Sequence, residues 1–142
     1  MKKKICIVLT YRGNYGKMKS TMQLLTQYDN VELQIVVGGA MNLRKYGTPK
    51  DILIRDGFHV NEETFFLLEG GSPLTMAKST GYAISEFANI FEKLAPDIVV
   101  TIADRFEVFG VAIAASYMNI VVAHIEGGEV SGSIDESIRH AV

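Results

Sequence analysis

The chain has 142 residues, of which 48% are hydrophobic and 21% are charged, and its formal net charge is -2. These values describe one globular domain with a sizeable core, and they exclude the disordered and fibrous classes. The longest basic run is Lys2-Lys3-Lys4, so we expect neither a nucleic acid nor a membrane as partner.

The first predicted strand, residues 4–10, is almost entirely apolar, which is typical of a strand buried in a parallel sheet. It contains Cys6, the one cysteine of the chain, and we expect that thiol to be buried. One cysteine cannot support a disulfide framework, which predicts a reducing, cytoplasmic location. The apolar run is too short for a secretory signal peptide and lacks a small-residue cleavage site.

Apolar runs of strand length then alternate with segments of helical period. We predict a helix at about 15–28 and a strand at 31–37, which Gly38-Gly39 ends. The region 40–71 is less regular: it predicts a short helix at 49–56 and a strand at either 58–60 or 64–68.

Ser72-Pro73 predicts the start of a long helix, with Ser as N-cap and Pro in the first turn. Its apolar spacing continues to Leu94, and a strand at 98–102, a helix at 106–118 and a strand at 120–125 follow. Repeated strand-to-helix units predict a Rossmann-like α/β domain with a parallel sheet. In such sheets ligands bind at the carboxyl ends of the strands.

Polar residues follow three of these strands, at 11–17, at 104–105 and at 124–129. The first group, Arg12-Gly13-Asn14-Tyr15-Gly16-Lys17, combines glycines and cations at a helix N-terminus, which favours an anion such as phosphate. It lacks the spacing of the dinucleotide fingerprint and of the Walker loop, so an ordinary glycine-containing turn is the alternative.

Asp104 and Arg105 follow the strand at 98–102. Their side chains are expected to reach the cleft, and the adjacent cation is expected to keep Asp104 ionised. The alternative is that Asp104 caps the helix that follows.

The run from His124 to His140 is unusually rich in acids and glycines for a strand exit. His124, Glu126 and Glu129 are a poor zinc set at this spacing. A hydrolase triad of Ser133, Asp135 and His140 is equally poor, because the chain has no nucleophile elbow and the three residues lie in one local stretch. We predict no metal site.

Ser133-Ile134-Asp135-Glu136 fits a capping box, which assigns Glu136 a structural role in starting the last helix. Asp135 then lies in the first turn, with Arg139 one turn later on the same face. This pair either forms a modest surface ion pair or turns the Asp135 carboxylate towards a ligand.

Four runs, LTYRGNYGK, KLAPDI, ADRFEVFGVAIAASYMNI and HIEGGEVSGSIDESIRHA, occur in this order along the chain. They resemble the hydrolysing UDP-N-acetylglucosamine 2-epimerases of sialic-acid biosynthesis. The resemblance implies a Rossmann-like parallel sheet with helices on both faces, as the N-terminal half of a glycosyltransferase-B-like two-domain fold. Residues 1–142 are then expected to be the N-terminal domain, and the C-terminal nucleotide-binding domain is absent from this chain.

The family releases UDP from UDP-N-acetylglucosamine through a glycal intermediate, inverts C2 and yields N-acetylmannosamine. The resemblance implies that Asp104, Glu126 and Asp135 are catalytic carboxylates. It implies that substrate-binding residues include cations and a glycine: Arg12, Gly16, Lys17, Arg105 and Arg139. It implies no cofactor, a UDP-sugar as substrate and a homo-oligomer, dimer or tetramer, in the complete protein.

Two positions depart from the family pattern. Asn14 stands where an acidic residue is usual, and Ala103 stands where glycine is usual before the Asp-Arg pair. The first is expected to remove a local ion pair and the second to alter the turn that presents Asp104. Related enzymes act on diacetamido-trideoxy sugars and on GDP-linked forms, so the sugar nucleotide stays open. A non-catalytic sugar-nucleotide-binding or assembly domain is the alternative of a different class.

Overall fold

The computed structural model describes residues 1–142, and it shows a five-stranded sheet covered by helices on both faces. The strands are β1 (Lys3–Leu9), β2 (Val31–Val37), β3 (Glu62–Glu63), β4 (Ile98–Ile102) and β5 (Val121–Ile125). The helices are α1 (Arg12–Leu25), α2 (Lys50–Arg55), α3 (Pro73–Leu94), α4 (Phe106–Tyr117) and α5 (Ile134–Ala141). Two 3-10 turns, Gly39–Asn42 and Arg44–Tyr46, lie between β2 and α2.

The strand order is β3-β2-β1-β4-β5, and every neighbouring pair is parallel. The chain therefore builds outward from β1 to β3, returns to the other side of β1 and builds outward again to β5. This confirms the predicted Rossmann-like fold. The order reverses between β1 and β4, which is where such sheets bind their ligands.

Alternate residues of each central strand enter two separate cores. Cys6 and Val8 of β1 pack with Phe87 of α3 and Val111 of α4, while Ile7 of β1 packs with residues of α1 and α2 on the opposite face. Cys6 is fully buried, as predicted, and burial raises the pKa of its thiol to about 12. The thiol is therefore a neutral core group near pH 7.

The helix α3 begins as predicted. The Ser72 hydroxyl accepts a hydrogen bond from the Thr75 N–H at 3.2 Å, and the Thr75 hydroxyl accepts one from the Ser72 N–H at 2.9 Å. Gly110 lets α4 pack closely on α3, since a Cβ there would lie 2.7 Å from the Cβ of Ala83. The α3 face that this crossing buries includes Ala83 and Phe87.

Several predicted bounds differ from the structure. The strands at 31–37 and 98–102 have the predicted bounds, but α1 begins at Arg12 rather than near Tyr15. Both predicted positions for the strand between residues 58 and 68 are wrong, because the strand is Glu62–Glu63. Two charged residues at the edge of a sheet carry no apolar pattern by which a strand is recognised.

β5 is the edge strand of the sheet, and alternate residues face outward: Val121 is 62% exposed and Ile125 is 39% exposed. Its other face packs on the core through Val122.

Candidate active site

The three predicted polar groups meet at one end of the sheet, because β1, β4 and β5 are parallel and their carboxyl ends share that edge. The loops after these strands flank the reversal of strand order between β1 and β4. The polar groups that follow β1, β4 and β5 therefore form one continuous candidate site.

The turn after β1 is fixed by Asn14. This side chain is buried, and its amide oxygen accepts hydrogen bonds from the N–H of Thr10 at 3.3 Å and of Tyr11 at 3.0 Å. An acidic side chain would use the same acceptor geometry, so Asn14 preserves the turn. A neutral amide forms no ion pair, so Asn14 holds this turn through hydrogen bonds alone.

The sequence led us to expect Gly16 in a phosphate-binding loop, but the structure places it in a helix. It belongs to the second turn of α1, it is exposed, and no atom outside its own helix approaches the space that a Cβ would fill. Arg12 is the first residue of α1 and is exposed, with no hydrogen-bond partner in the chain. It lines a small cavity of about 200 Å³ with Tyr11, Ala40, Tyr46 and Pro49.

Lys17 joins two strand exits. Its ammonium group, on α1, forms an ion pair with the carboxylate of Glu126, which directly follows β5. Glu126 has a left-handed backbone with φ of +68°. Residues other than glycine rarely adopt this backbone conformation outside turns and functional sites. The strained turn aims Glu126 back across the sheet end towards α1.

Arg139 does not pair with Asp135, and it is not a free cation on the surface. It is 7% exposed, it forms an ion pair with the carboxylate of Asp104, and it donates a hydrogen bond to the backbone carbonyl of Glu129. The packing of α5 against α4 turns Arg139 inward. Both alternatives for an Asp135–Arg139 pair, a surface ion pair and a pair that turns Asp135 towards a ligand, are therefore wrong, and Arg139 orients Asp104 from inside the protein.

Asp104 is not a helix cap either. The N-cap position of α4 is Arg105, and no side chain accepts a hydrogen bond there. The expected partner of Asp104 was Arg105, its neighbour in sequence, but the structure supplies Arg139 from 35 residues further along. The Asp104 carboxylate is thus placed at the β4 exit by a long-range contact.

Asp135 lies in the first turn of α5, is half-buried and has no hydrogen-bond or ion-pair partner in the chain. Glu136 beside it has a structural role, but not the predicted one. Its carboxylate accepts hydrogen bonds from the N–H of Ser131 at 2.8 Å and of Gly132 at 2.5 Å, and the Ser133 hydroxyl does not cap the helix. These two donors hold the pKa of Glu136 below its ordinary value. The acid that remains free for a ligand is Asp135.

Arg105 binds Glu107 rather than Asp104. Its Nε lies 3.1 Å and 3.3 Å from the two carboxylate oxygens of Glu107, a residue with no exposed surface. The guanidinium also lies over the ring of Tyr11, 5.4 Å from its centre. Sequence reasoning missed Glu107. The available signal was a single carboxylate within the otherwise apolar helix 106–118.

His124 and Ala103 connect the exits of β5 and β4. The Nε2 of His124 lies 2.6 Å from the carbonyl oxygen of Ala103, and Ala103 has a left-handed backbone with φ of +68°. His124 is therefore engaged with the backbone, and Glu126 with Lys17. No group of three or more His, Cys, Asp or Glu side chains in the chain is arranged to hold a metal ion.

A larger cavity of about 680 Å³ opens beside Arg105. The walls come from the turn at 43–46, the loop at 67–71 and the first turns of α3 and α4. Arg44, Lys45 and Arg105 give it cations, and Leu67 and Phe106 give it apolar surface.

Fold and site together define a Rossmann-like α/β domain whose strand exits carry carboxylates and cations at the ligand-binding edge. Residues 23–142 match the sequence family described as UDP-N-acetylglucosamine 2-epimerase. The chain belongs to the UDP-N-acetylglucosamine 2-epimerase family.

Individual relatives agree with this assignment. The chain is 35% identical over 142 residues to a hydrolysing UDP-N,N'-diacetylbacillosamine 2-epimerase of Legionella pneumophila, covering all of this chain and 38% of that protein. It is 29% identical over 142 residues to a UDP-N-acetylglucosamine 2-epimerase of Neisseria meningitidis, again covering all of this chain and 37% of that protein.

A solved structure of UDP-GlcNAc 2-epimerase from Neisseria meningitidis, bound to UDP-GlcNAc, superposes with a TM-score of 0.81 at 20% identity. The match covers 96% of this chain and 36% of that one, and at this identity it shows the fold alone. The chain thus spans well under half the length of the relatives that it matches. None of its helices combines the length and apolarity needed to cross a bilayer.

Proposed function

We propose that this chain is the N-terminal domain of a hydrolysing 2-epimerase, which converts UDP-N-acetylglucosamine and water to N-acetylmannosamine and UDP. The observation that carries the proposal is the meeting of the Asp104 and Glu126 carboxylates with several cations at one sheet end, to which the ion pair of Arg139 joins the helix that carries Asp135. Asp104 and Glu126 follow β4 and β5, and their ion pairs with Arg139 and Lys17 hold them at that end, while Asp135 lies in α5. Membership of the family supports the same chemistry.

The reaction requires a proton transfer at C2 and the departure of a diphosphate from C1. A base takes the C2 proton, the C1–O bond to UDP breaks, and a C1–C2 double bond forms. Water then adds its oxygen to C1, and C2 receives a proton on the opposite face. General acid–base groups and charge stabilisation at the leaving diphosphate are the catalytic needs of these steps.

The three carboxylates have different surroundings, which assign them different roles in the reaction. Asp135 has no partner, and Glu126 is bonded only to Lys17, a side chain that is itself half exposed. These two are the candidates for proton transfer at C2. Asp104 is held by buried Arg139, so it supplies a fixed negative charge for the oxocarbenium-like transition state.

The cations divide in the same way. Arg12 has no partner in the chain, and the terminal nitrogens of Arg105 have none, so both are available to phosphate oxygens. Lys17 binds phosphate oxygens at the same site only when its ion pair with Glu126 breaks or when it bonds both groups at once. The resemblance implied that Arg139 binds substrate, but its burial and its bonds to Asp104 and to the Glu129 carbonyl assign it the role of positioning Asp104 instead.

Activity requires a second domain as the other wall of the cleft, and we propose that residues 1–142 supply only one wall. The share of the relatives' length that the chain spans supports this division. A non-catalytic binding domain is the competing function. Turnover distinguishes the two: the competing function predicts no UDP release by the complete natural protein.

A diacetamido sugar nucleotide is the second candidate substrate. The chain is 35% identical to the diacetylbacillosamine epimerase and 29% identical to the N-acetylglucosamine epimerase. These identities keep the diacetamido sugar as a candidate, and the site carboxylates fit both substrates because the reacting C1 and C2 are the same.

The test is turnover by the complete natural protein that carries this chain. UDP release and free sugar are measured with UDP-N-acetylglucosamine and with its diacetamido analogue in parallel. Release of UDP with a free 2-acetamido sugar supports the proposal, and the higher kcat/KM identifies the substrate. Absence of UDP release from both refutes the enzymatic function. Light scattering of the same sample tests the predicted dimer or tetramer.

A further inference from the structure

Glu107 is a carboxylate buried at the edge of the candidate site. It lies in the first turn of α4 with no exposed surface, and Arg105 Nε is its one hydrogen-bond partner. The turn after β2 covers it: a Cβ on Gly39 would lie 3.6 Å from a Glu107 carboxylate oxygen and 2.9 Å from the Thr10 carbonyl oxygen. A carboxylate removed from water is costly unless its charge is compensated. In this chain Arg105 is the one cation bonded to the Glu107 carboxylate.

Arg105 is held on one edge and open on the other. Its Nε is bonded to Glu107, and its guanidinium carbon lies 5.4 Å from the ring centre of Tyr11 and 5.7 Å from that of Phe106. These distances are in the range of cation–π contacts. Neither terminal nitrogen has a partner in the chain, and the side chain is 44% exposed.

We infer that Glu107 is a positioning residue, which fixes Arg105 so that both terminal nitrogens face a diphosphate ligand. This inference rests on the proposed function, because the ligand is the diphosphate of the sugar nucleotide. Paired guanidinium N–H groups bind phosphate oxygens in a planar, two-point arrangement. Glu107 takes the one nitrogen that this arrangement does not need. It does not touch the ligand itself.

Tyr11 completes the support for Arg105. It is the N-cap residue of α1, and its backbone N–H is bound by the buried side chain of Asn14. The ring that faces the guanidinium is therefore tied to the turn after β1. The exits of β1 and β4 thus form a single binding element, with Glu107 beneath it and Arg105 at its surface.

The experiment uses kinetics and chemical rescue in the complete natural protein. The variants are Glu107→Gln, Glu107→Asp, Arg105→Ala and the double variant Arg105→Ala/Glu107→Gln. Glu63→Gln is the matched control, since Glu63 forms an ion pair with Lys50 at the far edge of the sheet. Thermal unfolding of each variant separates folding effects from binding effects.

Glu107→Gln is expected to raise KM for the sugar nucleotide about tenfold with kcat within about twofold, as for a charge-assisted hydrogen bond that serves binding. Glu107→Asp keeps the charge, and its KM is expected to lie between those of the unaltered protein and Glu107→Gln. The KM of Glu63→Gln is expected to equal that of the unaltered protein. Added guanidinium ion is expected to restore the activity of Arg105→Ala, because Glu107 and Tyr11 still form its binding site. It is expected not to restore the activity of the double variant.

Equal rescue of Arg105→Ala and the double variant would overturn the inference. So would a lower melting temperature of Glu107→Gln with unchanged KM, since that describes a purely structural pair. Absence of turnover in the unaltered protein refutes the proposed enzyme instead. In that case calorimetric binding of inorganic pyrophosphate decides: about tenfold weaker binding by Glu107→Gln supports the inference, and equal or absent binding overturns it.

Discussion

Arg139 and Asp104 form an ion pair that joins the last helix to the end of the fourth strand, although they are 35 residues apart. Arg139 is almost fully buried and also binds the backbone carbonyl of Glu129. One side chain therefore sets the position of a candidate catalytic carboxylate, of the loop before α5 and of α5 itself.

Replacing Arg139 is expected to destabilise the chain strongly. Arg139→Gln leaves the Asp104 carboxylate without its buried partner, and the free energy of unfolding should fall by about 3 kcal/mol. Urea unfolding measures this change. Lys45→Gln is the control: its exposed pair with Glu69 is screened by water and is expected to leave the free energy of unfolding nearly unchanged. Equal effects of the two variants would show that the Arg139 pair is a surface contact.

Ala103→Gly is expected to stabilise the chain. Ala103 has φ of +68°, and a left-handed backbone costs a residue with a Cβ about 1–2 kcal/mol, part of which the flexibility of glycine offsets. We expect a net gain of about 0.5–1 kcal/mol in urea unfolding. The matched control is Ala77→Gly in α3, which is expected to lose about 1 kcal/mol. A loss at both positions would contradict the left-handed turn.

The Glu136 carboxylate is expected to stabilise the start of α5 in a pH-dependent way. Two backbone N–H groups hold its pKa below the ordinary value of 4.5 in the folded chain. The unfolded chain therefore takes up this proton at the higher pH. The stabilisation is complete above 4.5 and is lost as the pH falls through the folded pKa.

Comparison of Glu136→Gln with the unaltered chain in urea, from pH 7 to pH 3, checks this. The variant should be less stable at pH 7, and the difference should shrink in acid. A pH-independent difference for Glu136→Gln would contradict the bonds to Ser131 and Gly132.

Ser133→Ala tests the capping box that the sequence suggested. The Ser133 hydroxyl does not cap α5, so we expect a loss in the free energy of unfolding well below the roughly 1 kcal/mol of a true cap.

Glu126→Gln and Asp135→Asn are expected to lower kcat in the complete natural protein by about 100-fold or more, the usual contribution of a general acid or base. Both changes preserve side-chain shape and remove a charge. Glu92→Gln, on the exposed side of α3, is the control and should leave turnover unchanged. Normal rates in both site variants would refute the catalytic roles.

The sequence predicts the central fold well because buried parallel strands are continuous apolar runs. The strands at 31–37 and 98–102 and the start of α3 follow directly from such runs and from Ser72-Pro73. Glu62–Glu63 was missed because a charged two-residue edge strand has no apolar pattern. The start of α1 was placed late because Gly13 and Gly16 weaken helix propensity, while the buried Asn14 side chain fixes the first turn.

The sequence predicted where several candidate residues lie, but it did not predict their side-chain partners. Strand exits placed Asp104, Arg105 and Glu126 at one edge of the sheet, and the structure brings them to that edge. The partners are long-range: Asp104 binds Arg139 and Glu126 binds Lys17, neither of which is near in sequence. Local spacing favours neighbouring partners such as Asp135 and Arg139, whereas helix packing decides which side chain points inward.

The most direct test of the proposed chemistry is the reaction of UDP-N-acetylglucosamine with the complete natural protein in D₂O. Proton transfer at C2 by Glu126 or Asp135 predicts release of UDP together with free N-acetylmannosamine that carries one deuterium at C2. Mass spectrometry and proton NMR of the sugar measure this. A free sugar that retains its original hydrogen at C2, or a product still linked to UDP, would contradict the proposed function.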